Sequence, residues 1–274
     1  MLNDLRIALI GAGAMGEAIV AGLLRQKLVP ASQITATEPR AERRQELAAR
    51  YQITISDDNV AAARQADVLI LAVKPQVLPH VLLSLRGTLG ERALCISIVA
   101  GVSLHTLAQS LGHTQVVRSM PNTPAQIGAG MTVWSATPEV GAEQLCWTRA
   151  VLGALGRELF VDDEQYLDMA TAVSGSGPAY FFLIIEAMID AGVELGLPRH
   201  IAETLVIQTM LGSVQYTQQI TRHPAELRNA VTSPAGTTAA ALAALERGGL
   251  RTALSDAIRA AYQRSVELGQ QRRR

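Results

Sequence analysis

"LRIALIGAGAMGEAIVAGLLR", residues 5–25, joins a short apolar run to a glycine-rich turn and then to an amphipathic segment. The run LRIALI has the β-branched, apolar character of a strand that is buried on both faces. Because the turn lies between this strand and the helix that it opens, its G-x-G-x-x-G spacing predicts a dinucleotide site. Glycines there allow a tight turn and let a pyrophosphate approach a helix N-terminus. The turn consists of Gly11, Ala12, Gly13, Ala14, Met15 and Gly16.

Outward from this segment, the chain alternates strand and helix signals up to about residue 160. The apolar runs QITATE, DVLILAV, ALCISIV and QVVRSM follow one another, and MTVWS and ELFVD add later strands. Helical stretches such as AERRQELAARY separate them. This alternation predicts an α/β fold with a Rossmann-type, doubly wound parallel sheet.

The strand signal disappears after about residue 165. The stretch SGPAYFFLIIEAMIDAGVELGLP, residues 176–198, predicts one long helix with a single acidic stripe and an otherwise apolar circumference. Such a helix must be surrounded, so we expect the helical domains of two subunits to interlock in a homodimer. Burial against the chain's own nucleotide domain is the alternative. The predicted domains are a dinucleotide-binding Rossmann domain, 1–163, and a helical dimerisation and substrate-binding domain, 164–274.

Composition excludes several classes of function. The 274 residues carry 24 Lys and Arg against 24 Asp and Glu, and no basic block precedes the terminal Arg272, Arg273 and Arg274, so we expect no nucleic-acid partner. No apolar run reaches about 18 residues without a charge, which predicts no membrane span. The chain enters a strand at once, leaving no room for a cleavable signal, and Cys95 and Cys146 have the setting of buried thiols. We therefore expect a cytoplasmic protein.

Loops after the middle strands supply further candidate cofactor contacts. In an open sheet the ligand lies beyond the carboxyl ends of the strands. That edge is predicted to include the loop after the fourth strand, Ala100 after the fifth and Asn122 after the sixth. For Asn122 a structural role, capping a turn between two prolines, is the alternative. The loop after the fourth strand contains Ala72, Val73, Lys74 and Pro75.

The choice between NAD and NADP stays open. Glu38 ends the second strand, 22 residues beyond Gly16, where an acidic group usually binds the ribose hydroxyls of NAD and repels the 2′-phosphate of NADP. Arg40, Arg43 and Arg44 follow closely and would neutralise a phosphate. For Arg43 and Arg44, however, we favour a place on the solvated face of the next helix.

The residues that the sequence lacks exclude several classes of reaction. A hydroxyacid dehydrogenase with this architecture needs a general acid or base, commonly a lysine of the second domain, but the only lysines are Lys27 and Lys74. The five histidines never occur at metal-ligand spacing, and no G-x-S-x-G elbow is present, so we predict no metal. Reduction of a protonated imine needs little acid–base help, because the C=N group is already electrophilic.

The stretch AVTSPAGTTAAALAALERGG, residues 230–249, fits such a reaction. It places Ser233, Gly236, Thr237 and Thr238 at the predicted start of a helix. Hydroxyls and free N–H groups at a helix N-terminus bind a carboxylate without any arginine. Thr238 is further placed to exchange a hydrogen bond with an imine nitrogen, which makes it the candidate catalytic residue.

Four motifs together resemble the pyrroline-5-carboxylate reductase family. They are GAGAMG, then AVKPQ with RSMPNTPA, then AVSGSGPAYFF, and VTSPAGTT with its LERGG helix end, in family order over residues 10–250. The resemblance implies reduction of 1-pyrroline-5-carboxylate to L-proline, the last step of proline biosynthesis, with NADPH or NADH. It also implies a helical dimerisation domain, with each active site built by the nucleotide domain of one subunit and the helical domain of both subunits or of the partner. Assembly of dimers into a larger oligomer stays open at this point.

Residue by residue, the resemblance implies a substrate loop at Ser233, Thr237 and Thr238. It implies nucleotide contacts at Asn59, Val73, Lys74 and Ala100, and a position near substrate at Glu164. For Glu164 a plain surface carboxylate is the alternative. Two alternative functions stay open: a reductase of another small imine or carbonyl acid, and a non-catalytic nucleotide-binding redox sensor.

Three residues depart from the family pattern: Glu38, Ala230 and Ala235. Ala235 stands where the family most often has glycine. If the backbone needs a positive φ there, alanine is strained.

Overall fold

The computed structural model describes Leu2 and residues 4–271, and for residues 270 and 271 the backbone alone. The expected solvated tail of Arg272, Arg273 and Arg274 lies outside the described residues.

Strands and helices alternate up to Phe160, and helices alone follow in the described part of the chain. The strands are β1 Ile7–Ile10, β2 Ile34–Thr37, β3 Thr54–Ser56, β4 Val68–Leu71, β5 Leu94–Ser97, β6 Val116–Met120, β7 Gly130–Ala136 and β8 Gly156–Phe160. The α-helices are α1 Ala14–Arg25, α2 Ala41–Tyr51, α3 Asn59–Arg64, α4 Leu78–Leu85, α5 Leu104–Leu111, α6 Ala142–Gly153, α7 Gln165–Ala170, α8 Gly177–Glu194, α9 Arg199–Gln219, α10 Pro224–Ala230, α11 Thr237–Arg247 and α12 Leu250–Gln271. Short 3-10 turns occupy Ala31–Gln33 and Thr123–Ile127, and a π-helical turn occupies Thr171–Gly175.

One eight-stranded sheet has the order β3-β2-β1-β4-β5-β6-β7-β8. The first six strands are parallel, and the order reverses between β1 and β4, which confirms the Rossmann-type prediction. The strand MTVWS exists as β7 but runs antiparallel to β6, so the sheet is mixed. The difference arises because the Thr123–Ile127 turn carries the chain back beside β6 without a crossover helix.

The sheet is covered on both faces, as alternation of side chains along a strand requires. Ile7 and Leu9 of β1 belong to the cluster that α1 and α6 complete. Ala8 and Ile10 belong to the opposite cluster, which α4 and α5 complete. This packing holds the carboxyl ends of the strands in a fixed register.

The chain forms two compact units. The first extends to Ser176 and takes in the end of the chain from Ala261, and the second is Gly177–Ala260. The predicted division into 1–163 and 164–274 stays a prediction.

The second unit consists of helices only. Its core is small: Ile189 of α8 packs with Ala202 and Val206 of α9. The long helix predicted from residues 176–198 is confirmed as α8, and Gly196 just after it has a φ of +99°.

The two cysteines differ in their exposure to solvent. Cys146 lies exposed on α6, so its expected burial is wrong, because it occupies the outer face of that helix; Cys95 is buried in β5 as expected, and burial raises the pKa of its thiol to about 12. The helical segment Gln165–Glu194 is long and apolar enough to cross a membrane. Length and composition are the only grounds for this, and a helix packed inside a protein meets the same criteria. The absence of a membrane span stays a prediction.

Candidate functional site

The glycine turn after β1 is shaped by close backbone contacts. Gly11 has a φ of +95°, and its N–H donates to the carbonyl of Thr37 at 3.2 Å. A Cβ on Gly11 would lie 2.9 Å from the carbonyl oxygen of Ala72, and one on Gly16 would overlap the carbonyl oxygen of Gly11. Both positions therefore require glycine.

Gly13 differs from the other two glycines, because a Cβ there would meet nothing within 4 Å. It is the exposed N-cap of α1, whose first turn has no side-chain cap among the described residues. An open cradle at an uncapped helix N-terminus fits the pyrophosphate of a dinucleotide. The turn thus has the geometry that its sequence predicts: Ala12 is buried, Ala14 is exposed and Met15 is half-buried.

The other predicted cofactor residues lie at the same sheet edge. Ala72 follows β4 directly beside β1, and its N–H donates to the carbonyl of Ile10 at 2.9 Å. The loop continues through Val73, Lys74 and Pro75, with Lys74 exposed. Ala100 follows β5. Asn59 is the first residue of α3, beyond β3.

Glu38 lies directly after β2, and 6% of its side chain is exposed. Its Oε1 accepts from Nε of Arg40 at 2.8 Å and from the Arg40 backbone N–H at 3.2 Å. Burial alone would raise the pKa of the Glu38 carboxyl, but the hydrogen bonds and charge of Arg40 outweigh it, and the pKa lies below its ordinary value. Glu38 is therefore a charged carboxylate at neutral pH.

Arg43 and Arg44 are not solvated, which corrects that expectation. Arg43 binds Glu17, and at 2.7 Å Glu46, because α2 packs beside α1. Arg44 donates to the carbonyls of Glu38 and Pro39 at 2.9 and 2.8 Å. The Arg44 guanidinium thus stabilises the turn into α2, whereas that of Arg43 joins α2 to α1.

Asn122 ties two segments together. Its Oδ1 accepts from the N–H of Met131 at 2.9 Å, and its Nδ2 donates to the carbonyl of Ser174 at 3.1 Å. The side chain makes no capping hydrogen bond to the Thr123–Ile127 turn. Asn122 is structural in these contacts, and its predicted contact with a cofactor stays a prediction.

The carboxylate of Glu164 accepts hydrogen bonds from other parts of the chain, so it is not a plain surface carboxylate. Its Oε2 accepts from the N–H of Leu104, the first residue of α5, at 3.0 Å, and from Arg118 at 3.2 Å. Helix α5 begins just beyond Ala100, so Glu164 supports the backbone next to a predicted nucleotide contact. Its predicted contact with substrate stays a prediction.

Arg118 is a residue that sequence reasoning missed. It is buried at 7% side-chain exposure and pairs with Glu164 and, at 3.0 Å, with Asp168, which also accepts from Ser265 of α12 at 3.0 Å. A single arginine inside the apolar strand QVVRSM is the signal that would have found it, since a buried guanidinium needs partners. Among the described residues, no group of three His, Cys, Asp or Glu is placed to hold a metal ion.

In the helical unit, the stretch 233–238 forms a turn and a helix start. The N–H of Gly236 donates to the carbonyl of Ser233 at 3.1 Å, and Ala235 at the third position has a φ of +56°. Pro234 at the second position and a positive φ at the third are the features of a type II turn. Ala235 is therefore the strained residue that the sequence indicates.

The same turn brings the predicted substrate residues together. A Cβ on Gly236 would overlap Oγ of Ser233, so glycine there makes room for the hydroxyl. Gly236 is the N-cap of α11, and the described residues provide no side-chain cap. Thr237 is exposed and Thr238 half-buried in the first helical turn. Hydroxyls and open N–H groups thus lie together at one helix N-terminus, the arrangement that binds a carboxylate.

Comparison with known proteins identifies both parts of the chain. Residues 164–268 match the family model described as pyrroline-5-carboxylate reductase dimerisation, and residues 6–101 match the one described as NADP oxidoreductase coenzyme F420-dependent. A pyrroline-5-carboxylate reductase of Synechocystis sp. is 47% identical over 97% of this chain and 99% of its own.

Solved structures agree with these matches. A pyrroline-5-carboxylate reductase of Coxiella burnetii is 36% identical, with a TM-score of 0.90 over 97% of this chain and 99% of its own. The pyrroline carboxylate reductase of Plasmodium falciparum, solved with NADP bound, is 29% identical, with a TM-score of 0.89 over the same shares of the two chains.

Proposed function

Because the chain belongs to the pyrroline-5-carboxylate reductase family, we propose that it reduces 1-pyrroline-5-carboxylate to L-proline with NADH or NADPH. The observation that carries the proposal is the pairing, in one chain, of an open glycine cradle at the start of α1 with a hydroxyl-rich, uncapped start of α11. The first suits a dinucleotide and the second a small carboxylate.

The nucleotide unit binds and orients the cofactor. The turn at Gly11, Gly13 and Gly16 binds the pyrophosphate, and Glu38 binds near the adenosine ribose. The remaining contacts proposed for the nucleotide are Asn59, Ala72, Val73, Lys74, Pro75, Ala100 and Asn122. When bound, the reduced nicotinamide supplies the hydride that the imine carbon accepts.

The substrate loop orients the imine. Ser233, Thr237 and the first N–H groups of α11 bind the carboxylate, and the Thr238 hydroxyl exchanges a hydrogen bond with the ring nitrogen. The nitrogen is already protonated, so the carbon–nitrogen double bond takes up the hydride without a further acid. Glu164 is a further candidate for contact with substrate, and its hydrogen bonds with Leu104 and Arg118 hold its carboxylate in place.

We propose that the protein is a cytoplasmic homodimer without nucleic-acid or membrane partners. The match to a dimerisation model supports an oligomer. Exposed apolar side chains on α8 and α9 are the surface that a second copy would cover; they include Phe181, Phe182, Leu205, Ile207 and Leu211.

The test follows the absorbance of NADH and of NADPH during incubation with 1-pyrroline-5-carboxylate. We expect oxidation of at least one nucleotide and equimolar proline. Failure of both nucleotides would contradict the proposal. Oxidation with another small imine or carbonyl acid instead would favour a related reductase, and tight nucleotide binding without turnover on any of them would favour a redox sensor.

A further inference from the structure

The β5–α5 loop, residues 98–103, contains the proposed nucleotide contact Ala100 and is held at both ends by distant parts of the chain. At its start, the first N–H of the loop donates to the carbonyl of the last residue of β4 at 3.0 Å. At its end, the N–H of Leu104, the first residue of α5, donates to Oε2 of Glu164 at 3.0 Å. The loop therefore depends on a carboxylate that lies 60 residues further along the chain.

Helix α5 begins with two side-chain acceptors of different origin. Ser103, its N-cap, accepts from the N–H of Thr106 at 3.1 Å, which is the usual local cap. Glu164 accepts from the N–H of Leu104 and places a carboxylate at the positive end of the helix dipole. The local cap belongs to the helix itself, whereas the remote one ties the start of α5, and with it the β5–α5 loop, to the segment before α7.

A buried arginine holds the carboxylate of Glu164. Arg118 of β6, whose side chain is 7% exposed, donates through Nη1 to Glu164 at 3.2 Å and through Nη2 to Asp168 at 3.0 Å. Asp168 accepts a second hydrogen bond from Ser265 of α12, also at 3.0 Å. Since one rigid guanidinium spans both carboxylates, a change at Ser265 or Asp168 reaches Glu164 through Arg118.

The end of α12 meets the same loop directly. Gly269 lies one helical turn beyond Ser265, on the same face of α12. A Cβ on Gly269 would lie 4.0 Å from the carbonyl oxygen of Gly101, which is an ordinary contact distance. Gly101 has a φ of +71°, so the backbone of the loop turns at this point. The hydrogen-bond network and the helix that carries Ser265 therefore both reach the β5–α5 loop.

We propose that Arg118, Asp168 and Ser265 are positioning residues for nucleotide binding: through Glu164 they hold the β5–α5 loop in the conformation that binds the nucleotide. Apolar side chains of similar volume often replace a buried ion pair without loss of stability, so stability does not account for these charges. A defined backbone conformation needs directional hydrogen bonds, which the network supplies. The inference rests on the proposed dinucleotide binding and not on the identity of the imine.

The first experiment removes only the hydrogen bond between the loop and the network. Leu104→Pro deletes the N–H that Glu164 accepts, and proline suits the first position of a helix. Ser103, which precedes it, already has φ −74° and ψ 157°, the extended conformation that a residue before proline adopts. Leu104→Ala is the matched control, because it shortens the side chain but keeps the N–H.

Dissociation constants for NADH and NADPH are measured by nucleotide fluorescence, without any imine. For Leu104→Pro we expect the constant of the more tightly bound nucleotide to rise at least about tenfold, the effect of losing one hydrogen bond to a charged group. For Leu104→Ala the rise should stay below about threefold. Melting temperatures and circular dichroism show which variants are folded.

Two further variants test the residues behind Glu164. Arg118→Lys keeps the charge but lacks the planar fork that reaches both carboxylates, so the dissociation constant should again rise about tenfold. Ser265→Ala removes one hydrogen bond at the far end of the network and should raise it about threefold. Ser255→Ala, at an exposed serine of the same helix, is the control and should leave it unchanged.

A network that only stabilises the fold would lower the melting temperatures and leave the dissociation constants unchanged, which would overturn the proposal. Equal losses of affinity in Leu104→Pro and Leu104→Ala would overturn it as well. If the constants change as expected but 1-pyrroline-5-carboxylate is not reduced by the wild type, only the proposed reaction fails. If the wild type forms proline but the folded variants bind nucleotide as it does, only this inference fails.

Discussion

The nucleotide unit and the helical unit differ in how completely they bury their own apolar side chains. In the first, every residue of β4 and β5 is buried, and clusters cover both faces of the sheet. In the second, the buried cluster contains three residues, while Phe181, Phe182 and Leu183 of α8 are 56%, 61% and 66% exposed. The first unit is complete by itself, whereas the second has the surface of a protein part that a partner covers.

The largest expected effect comes from placing a charge on that surface. Phe182→Glu should weaken the proposed dimer by at least about a thousandfold, because two copies of the carboxylate would each be desolvated at about 2 kcal/mol or more. The molar mass in solution, measured over a range of concentrations, checks this. Leu83→Glu, at an even more exposed apolar position of α4, is the control and should leave the mass unchanged. A Phe182→Glu protein that stays dimeric would contradict the comparison.

The next effect concerns activity in the helical unit. Thr238→Ala should lower kcat/KM for 1-pyrroline-5-carboxylate by about 10- to 1,000-fold, the loss of one or two well-placed hydrogen bonds. Steady-state kinetics and circular dichroism separate this from misfolding. Thr252→Ala, an exposed threonine of α12, should change kcat/KM less than about twofold. An equally small change for Thr238→Ala would mean that this hydroxyl does not orient the imine.

A buried and an exposed ion pair allow the two units to be compared in stability. Arg118→Met leaves Glu164 and Asp168 without their cation and should lower the free energy of unfolding by about 2 kcal/mol. Arg199→Met removes an exposed pair with Asp190 in the helical unit and should cost under about 0.5 kcal/mol. Urea denaturation measures both. Equal costs would show that the buried network adds nothing.

Backbone strain distinguishes the substrate turn from the helix that follows. Ala235→Gly should raise the free energy of unfolding by up to about 1 kcal/mol, because glycine adopts the φ of +56° without a Cβ clash. Ala243→Gly inside α11 should act with the opposite sign, since glycine costs about 1 kcal/mol in a helix. Destabilisation by both variants would contradict the strain at Ala235.

The smallest effect is a pH dependence in the nucleotide unit. Burial by itself would raise the pKa of Glu17. The hydrogen bonds from Tyr51 and Arg43 and the charges of Arg43 and Arg50 have the larger, opposite effect, so the pKa lies below its ordinary value of 4.5. The contribution of Glu17 is therefore present above that pH and is lost as the pH falls through the folded pKa.

Glu17→Gln checks this dependence by thermal unfolding at several pH values. At neutral pH the variant should be less stable than the wild type by under about 1 kcal/mol. The gap should close as the pH falls below 4.5. A gap that is constant with pH would contradict the assignment.

Local signals in the sequence predict most of the nucleotide unit. The G-x-G-x-x-G spacing after LRIALI predicts the open cradle at Gly13, and the end of QITATE predicts the place of Glu38, because both depend on a few adjacent residues. The direction of β7 is not predictable in this way, because the pattern of apolar residues is the same for a parallel and an antiparallel strand. The partners of Arg118 lie 46 and 50 residues further along the chain, so only the fold brings them together.

In the helical unit, the sequence predicts the apolar circumference of α8 but not what covers it. Strain at Ala235 is predicted only on the condition that its φ is positive, because alanine stands where the family most often has glycine. The turn from Ser233 to Gly236 does give Ala235 a positive φ. Every site residue's contact with a ligand remains a prediction, because a ligand is not part of the chain.

Transfer of a label from nucleotide to product tests the central claim most directly. The protein is incubated with 1-pyrroline-5-carboxylate and with NADH or NADPH deuterated at the transferable position, and the proline formed is analysed by mass spectrometry. The account predicts L-proline carrying one deuterium on the former imine carbon, formed in step with nucleotide oxidation. Proline without deuterium, or no proline from either nucleotide, would contradict it.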